Sequence, residues 1–501
     1  MKGVSQRNPK DVESFMTGAK KAEENVSRRR WIKYVGAGAV AAAVVGAGAY
    51  YGLAPGGTPP TTSTTSAVQT SATISSLITK PWGEPADVQV QWNAGPQAPL
   101  SQANIKYWND NYAQSTGITG DVTVIPYTGY FDKLIPQMVS DAATPDIFIP
   151  WSLHTGMLYK YVENLDPYLA DKDLYSSPQG EPYDVNDILG AAREACSWEG
   201  HMYFFPEWIG WIPLYRLNDV VTEAPKDYDD LLDWARKCTK SVNPKSPTKY
   251  GFVLGGSTGN SNWKTWLAPY WAYGGTYFKP NTFEPDFDSD AGHKAMEFYF
   301  ALAKEHLMPP DVTTYEFQET WGAMQSGDVA SGLAWSFIKS FSDPTVSPKV
   351  AGRMIPSEVL GPTKVSYADY GAVGINSDSK NKKQAFKLWA WHFAGEGADM
   401  NVRGGESMPL KHQFTDEFMN STVVDPMGNK GAPQNIDMQT LGYFDAQRAE
   451  PAFADASTFG DTTSIVLSNT LAMKYKSADE AVHALQDAAY NFLKDKGTYG
   501  F

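Results

Sequence analysis

Two short runs in this chain carry residue types that could do chemistry, and both read as something plainer. Gly255-Gly256-Ser257-Thr258-Gly259 matches the G-x-S-x-G pattern of a nucleophile elbow and follows an apolar strand, as that strained turn requires. Histidines that could serve Ser257 lie downstream at His293, His306, His392, His412 and His483. With 43 glycines in the chain the match arises easily by accident, and Asn260-Ser261-Asn262 reads as further loop rather than a helix start. Asp286, Asp288, Asp290 and Glu297 have the spacing of an EF-hand-like calcium loop, but Ala291 stands where the sharp turn wants glycine. The apolar pattern Ala295, Met296, Phe298, Tyr299 and Leu302 puts Glu297 inside a helix, with Asp290 as its N-cap. There is no Walker A sequence, no H-E-x-x-H and no paired C-x-x-C. No catalytic residue, metal ligand or cofactor is assigned.

A third group has another kind of chemistry. Trp92-Asn93, Tyr127, Tyr130, Trp151, Glu207-Trp208, Trp211, Trp263, Trp335-Ser336 and Tyr370 fall in or beside expected strand ends and loops. Flat rings there would cover the C–H face of a sugar, and carboxylates and amides would meet its hydroxyls at the rim. For each ring the plainer reading is core packing. Trp151, Trp208 and Trp335 are the best placed, and Glu207 is the best polar candidate. Trp389 and Trp391 sit in a helical pattern and read as core.

The elements that must position these residues alternate. Ala86–Trp92 reads as a strand, Ala103–Ala113 as a helix, Val122–Tyr127 as a strand and Tyr130–Ala142 as a helix. Asp146–Ile149 is a short apolar run, and a helix follows from about Thr155. A second series has a helix at Tyr228–Cys238, a strand at Tyr250–Leu254, helices near Trp263–Tyr273 and Ala291–Glu305, and a strand at Ala330–Trp335. The first series predicts an α/β lobe with a largely parallel sheet, and the second series a further α/β lobe, with a ligand cleft between them at the strands' carboxyl ends.

The N-terminal part differs in kind. Ser27-Arg28-Arg29-Arg30-Trp31-Ile32-Lys33 resembles a twin-arginine export signal. Tyr34–Ala54 follows without a charge, and its 21 residues would cover roughly the 30 Å hydrocarbon core as a helix. The basic cluster at 1–33 predicts a cytoplasmic N-terminus. A Thr/Ser/Pro-rich stalk at 55–80 lacks the apolar residues to pack and is a candidate for O-glycosylation. The segment is read as a retained anchor, because a stalk needs something to hold its far end; Ala47-Gly48-Ala49 is the alternative, a cleavage site. Residues beyond 33 hold 33 basic and 52 acidic side chains, a net charge of −19 that weighs against a nucleic-acid partner. Asn420-Ser421-Thr422 is a glycosylation sequon on the exported side.

The order of motifs resembles the family 1 extracellular solute-binding proteins of ABC importers, the maltose-binding type. Pro145-Asp146-Ile147-Phe148-Ile149-Pro150-Trp151 is similar to the family's P-D-hydrophobic strand, which ends at a ligand-touching loop, and Leu165-Asp166-Pro167-Tyr168-Leu169 to the segment after it. His201-Met202-Tyr203-Phe204-Phe205-Pro206 through Leu214-Tyr215-Arg216-Leu217-Asn218 resembles a crossover between lobes, with Arg216-Leu217 departing from the usual Tyr-Asn pair. Ala224-Pro225-Lys226-Asp227-Tyr228, Gln325-Ser326-Gly327-Asp328 and Ser379-Lys380-Asn381-Lys382 match later family turns and helix entries. The likeness covers about residues 86–495.

It implies lobe 1 at 84–206 plus 371–408 and lobe 2 at 214–367 plus 410–498. Crossings would lie at Pro206–Tyr215, about Tyr367–Gly371 and Met408-Pro409. On this map Cys196 and Cys238 lie in different lobes and stay free thiols, since a bridge would hold the cleft at one angle. The implied protein is a monomeric cell-surface receptor without enzymatic activity that hands a carbohydrate, foremost an oligosaccharide, to ABC permease subunits. The competing readings are a surface glycan-acting hydrolase or lyase, which needs two carboxylates across a cleft, and the same fold binding a peptide or polyamine.

Overall fold

The computed structural model describes residues 82–93, 98–126, 130–336 and 338–497. The expected export signal, anchor and stalk lie outside the described residues, as does Tyr127. Among the described residues no helix is long and apolar enough to cross a membrane.

Alternation in Ala86-Asp87-Val88-Gln89-Val90-Gln91-Trp92-Asn93 makes β1 (Ala86–Asn93), whose Val88, Val90 and Trp92 are buried. It pairs in parallel with β2 (Ile118–Ile125) and with β3 (Ile147–Phe148). β2 begins four residues before its expected start. Gly117, at φ 72°, ends the preceding short helix in the left-handed conformation, and Ile118 enters the sheet at once opposite Ala86. A small hairpin joins β4 (Ser197–Trp198) to β5 (His201–Met202). Then β6 (Phe205–Trp211) leads directly into β7 (Leu214–Leu217).

The second sheet has the order β10-β7-β9-β8, from β8 (Tyr250–Val253), β9 (Val329–Leu333) and β10 (Met354–Pro356). Here only β8 and β9 pair in parallel, whereas β7 and β10 run antiparallel to their neighbours. This second sheet is thus mixed, because β7 arrives from β6 of the first sheet rather than from a β-α-β unit. β11 (Ser366–Ile375) is buried at all ten positions. Antiparallel to it lie β6 along its middle and β3 at its end, and β12 (Gln447–Arg448) pairs in parallel at its start.

The helices follow their capping signals. Asp227 accepts a hydrogen bond from the Asp230 amide, Asp229 and Asp230 occupy the first turn of Tyr228–Lys237, and Arg236 and Lys237 the last. The helix Asp290–Lys304 is capped by Ser289 and not by Asp290, which is its first residue. The Thr276 hydroxyl donates to Asp286 at 2.8 Å, drawing that carboxylate into its own turn. Asn260–Ala272 is a helix from its first residue, so the expected loop there is absent: Gly259, at φ 138°, makes the bend and donates its amide to the Ser464 hydroxyl at 2.8 Å. Ser257 donates to the Glu316 carboxylate.

Separate apolar cores form around the two sheets. One packs Trp92, Trp108, Trp389 and Trp391 with β1–β3, and the other packs Trp263, Trp266 and Phe287 with the helices of residues 290–304, 456–471 and 478–496. Cys196 and Cys238 are buried free thiols in different clusters.

Candidate functional site: an aromatic box around a buried ion pair

One lysine organises the middle of the molecule. Lys264, on the helix Asn260–Ala272, places its ammonium 2.6 Å from the Asp369 carboxylate of β11, and the two side chains are 1% and 4% exposed. The same nitrogen lies 4.8 Å from the ring centre of Trp151, 5.1 Å from Trp335 and 5.5 Å from Tyr367. An ammonium on the faces of three electron-rich rings is attracted by each, by up to about 2 kcal/mol where water is excluded. The rings come from three places: the loop after β3, the loop after β9, and β11 itself.

Each wall is held from behind. Tyr367 donates to Glu450 at 3.0 Å, and the same carboxylate accepts from Trp263 at 2.9 Å and Tyr277 at 3.0 Å. The Trp151 amide donates to His154 Nδ1 at 3.3 Å. Burial and the Lys264 charge push His154 down to about 3, so it is neutral and free to accept. The Ser336 amide donates to the Trp211 carbonyl at 3.0 Å and the Trp321 indole to the Trp335 carbonyl at 3.1 Å, which fixes the backbone beneath Trp335.

Two glycines make room. A Cβ on Gly371 would lie 2.6 Å from Trp208 Cδ1 and 2.8 Å from Glu207 Oε2; one on Gly210 would lie 2.9 Å from Trp335. Gly371 also bridges to Trp151 across the strands. The crossing β6 and the strand β11 therefore bring Glu207, Trp208 and Asp369 to the box. Gly371→Ala is expected to displace Trp208 and cost about 1–3 kcal/mol by overpacking. Thermal unfolding checks this, and an unchanged melting temperature would mean that the two side chains move aside freely.

The acids of the site are electrostatically loaded. Burial, and then the charge of Glu406, hold Glu207 well above the usual carboxyl range. Burial raises Asp369 and Glu450 too, opposed in both by Lys264. Among the described residues Glu207 Oε2 and Asp369 Oδ1 have no hydrogen-bond partner. Buried oxygens of this kind are costly unless something donates to them or, for a carboxyl kept neutral, accepts from them.

Because Glu207 holds its proton more tightly folded than unfolded, its contribution to stability is present below about pH 4.5 and is lost as the pH rises through its higher folded value. Glu207→Gln should narrow the difference in unfolding free energy between mildly acidic and alkaline buffer. Denaturant titrations at both pH values measure this, and an unchanged difference would mean that Glu207 ionises freely in the fold.

Of the sequence candidates, the structure gathers Trp151, Glu207, Trp208 and Trp335, and it joins Ser336 through its backbone amide on Trp211. It places others in the cores. Trp92 stacks on Phe393 at 5.9 Å, Tyr130 donates to the Ile149 carbonyl at 3.0 Å, and Trp211 packs on Tyr443 at 4.6 Å. Trp263 lies behind the wall on Glu450, and Tyr370 donates to Gln447 at 2.9 Å. Asn93 is the last residue of β1. Lys264, Tyr367, Asp369 and Glu450 were not anticipated. A single charge set between Trp263 and Trp266 in an otherwise uncharged helix was the available signal for Lys264.

Residues 94–394, more than half of the chain, match the family of bacterial extracellular solute-binding proteins, and the chain belongs to that family. A Sinorhizobium fredii protein named as a probable amino-acid ABC transporter periplasmic-binding protein is 23% identical over 294 residues, 56% of this chain and 63% of the relative. The erythritol/L-threitol-binding protein of Mycolicibacterium smegmatis is 22% identical over 357 residues, 63% of this chain and 69% of the relative. The chain thus spans about two-thirds of these two curated relatives. A maltose-bound protein of T. maritima superposes with a TM-score of 0.68 at 17% identity, over 81% of this chain and 99% of its own. That likeness establishes the two-lobe binding-protein fold.

Proposed function

We propose that this protein is an exported receptor that captures a carbohydrate or polyol between its two lobes and delivers it to the permease of an ABC importer. The observation that carries the reading is the convergence of Trp151, Trp208 and Trp335 with Lys264, Asp369 and Glu207. Indole faces match the C–H face of a sugar. The ammonium donates, the Asp369 carboxylate accepts, and a protonated Glu207 does either, which suits a hydroxyl that needs both. Relatives named for erythritol/L-threitol, mannitol and maltotriose support this class of ligand. The two lobes of this reading are 84–206 plus 371–408 and 214–367 plus 410–498, with Leu410, Met419 and Ala432 packing in the core of the first. In this reading the protein does no covalent chemistry, works as a monomer, and is held at the cell surface by the 34–54 segment through its stalk.

Calorimetric titration of the full chain with polyols, mono- and oligosaccharides tests it, with amino acids and polyamines as the opposing panel. Saturable binding of a sugar or polyol recovered intact is the expected result. Binding confined to the opposing panel, or appearance of a cleaved product, would overturn it.

A further inference from the structure

Away from the box, the surface where the helices of residues 290–304 and 478–496 meet carries a cluster with metal-ligand chemistry. His293 Nε2 lies 3.0 Å from Asp288 Oδ1, and His483 Nε2 lies 3.5 Å from the same oxygen. One donor atom from each of these three residues falls within 4.8 Å of the others. The second nitrogen of His293, Nδ1, is 3.0 Å from Asp479 Oδ1. We propose that Asp288, His293 and His483 form a binding site for a zinc-class divalent cation on the second lobe, with Asp479 as the positioning residue behind His293.

The donor set selects the metal. Two imidazoles and one carboxylate suit zinc and its borderline neighbours, whereas calcium and magnesium take oxygen ligands. In a tetrahedral site with arms of about 2.0–2.1 Å, neighbouring donors are roughly 3.3 Å apart. The 3.0 and 3.5 Å separations from Asp288 bracket that value, and the two histidines, within 4.8 Å of each other, would close by at most about 1.5 Å around an ion. A carboxylate on the outer nitrogen of a ligating histidine fixes the tautomer that aims the other lone pair at the metal, and Asp479 stands there.

The local structure holds the donors in place. Gln486 accepts from the Phe287 and Asp288 amides at 2.9 and 3.2 Å and donates to the Pro285 carbonyl at 2.8 Å, pinning the loop that bears Asp288 onto the helix that bears His483. Gly292 lets the two helices close up: a Cβ there would overlap the Phe287 carbonyl and lie 3.3 Å from Val482. The side chains of Asp288, His293 and His483 are 39%, 31% and 59% exposed, so an ion reaches them from solvent and water completes its shell. The site has one face open and no contact with the box, and the inference stands apart from the proposed ligand.

The test is zinc titration of the full chain, purified without an affinity tag, against a chromogenic chelator. One equivalent should bind with micromolar affinity, while calcium and magnesium should not compete. His483→Ala, at the most exposed position, should weaken zinc binding at least about 100-fold while leaving the circular dichroism spectrum unchanged. Asp479→Asn should weaken it about 10- to 100-fold, an effect that a simple surface ion pair would not have on metal affinity. No saturable uptake up to about 100 µM zinc, or equal uptake by wild type and His483→Ala, would overturn the site.

Discussion

Asp369→Ala is expected to lower the unfolding free energy by about 3–5 kcal/mol, because it leaves the Lys264 ammonium buried without its counter-charge. The pair is 2.6 Å apart with almost no exposure, so neither solvent nor salt can compensate. The three rings around Lys264 soften the loss but do not replace a carboxylate. Lys264→Met on the same background should restore much of the stability, since a flexible apolar chain can fill the box without a charge to satisfy. A double-mutant cycle from denaturant melts measures the coupling. If the two single losses simply add, the pair is not coupled and the lysine has found another partner.

The second large effect is on ligand affinity. Trp208→Ala should weaken binding of the true solute at least about 30-fold, equivalent to about 2 kcal/mol, as truncation of a central indole does at binding hot spots. Trp208 is only partly buried, and its ring packs over Gly371 and Gly210, so removal opens the ligand surface more than the core. Trp92→Ala is the contrasting variant: its ring lies in the first core, 2% exposed, and its loss should lower stability by about 3–5 kcal/mol. Calorimetry and thermal unfolding of both variants separate the two roles. Equal affinity in Trp208→Ala and the parent would place the ligand elsewhere.

Much of this was legible from local signals. Strand alternation in β1, the helix entry at Ala224–Tyr228 and the Pro145–Trp151 run each state an element in a few residues, and the structure keeps them. The family resemblance, confirmed by the match over 94–394, placed Trp151 and Trp335 just past strand ends, as the structure has them, whereas Glu207 and Trp208 lie inside β6 rather than in a strand-end loop. What local signals missed is long-range. Lys264 and Asp369 are 105 residues apart in the chain, and nothing near either one announces the other. Nor does spacing separate a ring that faces a cleft from one a turn away that faces a core, which is why Trp211 and Trp263 were grouped with Trp208. The calcium-like spacing is likewise only a local pattern: Asp288 meets His293 at the start of the helix that follows it and His483 on the far helix, a partner its own loop does not announce.

The continuity of β11 has a consequence for the proposed receptor. Tyr367, Asp369 and Gly371 touch the box, while the same ten-residue strand pairs with β12 at one end and β3 at the other. In the proposed reading, the binding site and the hinge are then a single stretch of backbone. Any rotation of one half against the other must be absorbed by φ and ψ angles within two or three residues of the groups proposed to recognise the solute. Occupancy would be reported to the outside of the molecule without a relay, and a mutation that stiffens or loosens this strand would alter selectivity and message together.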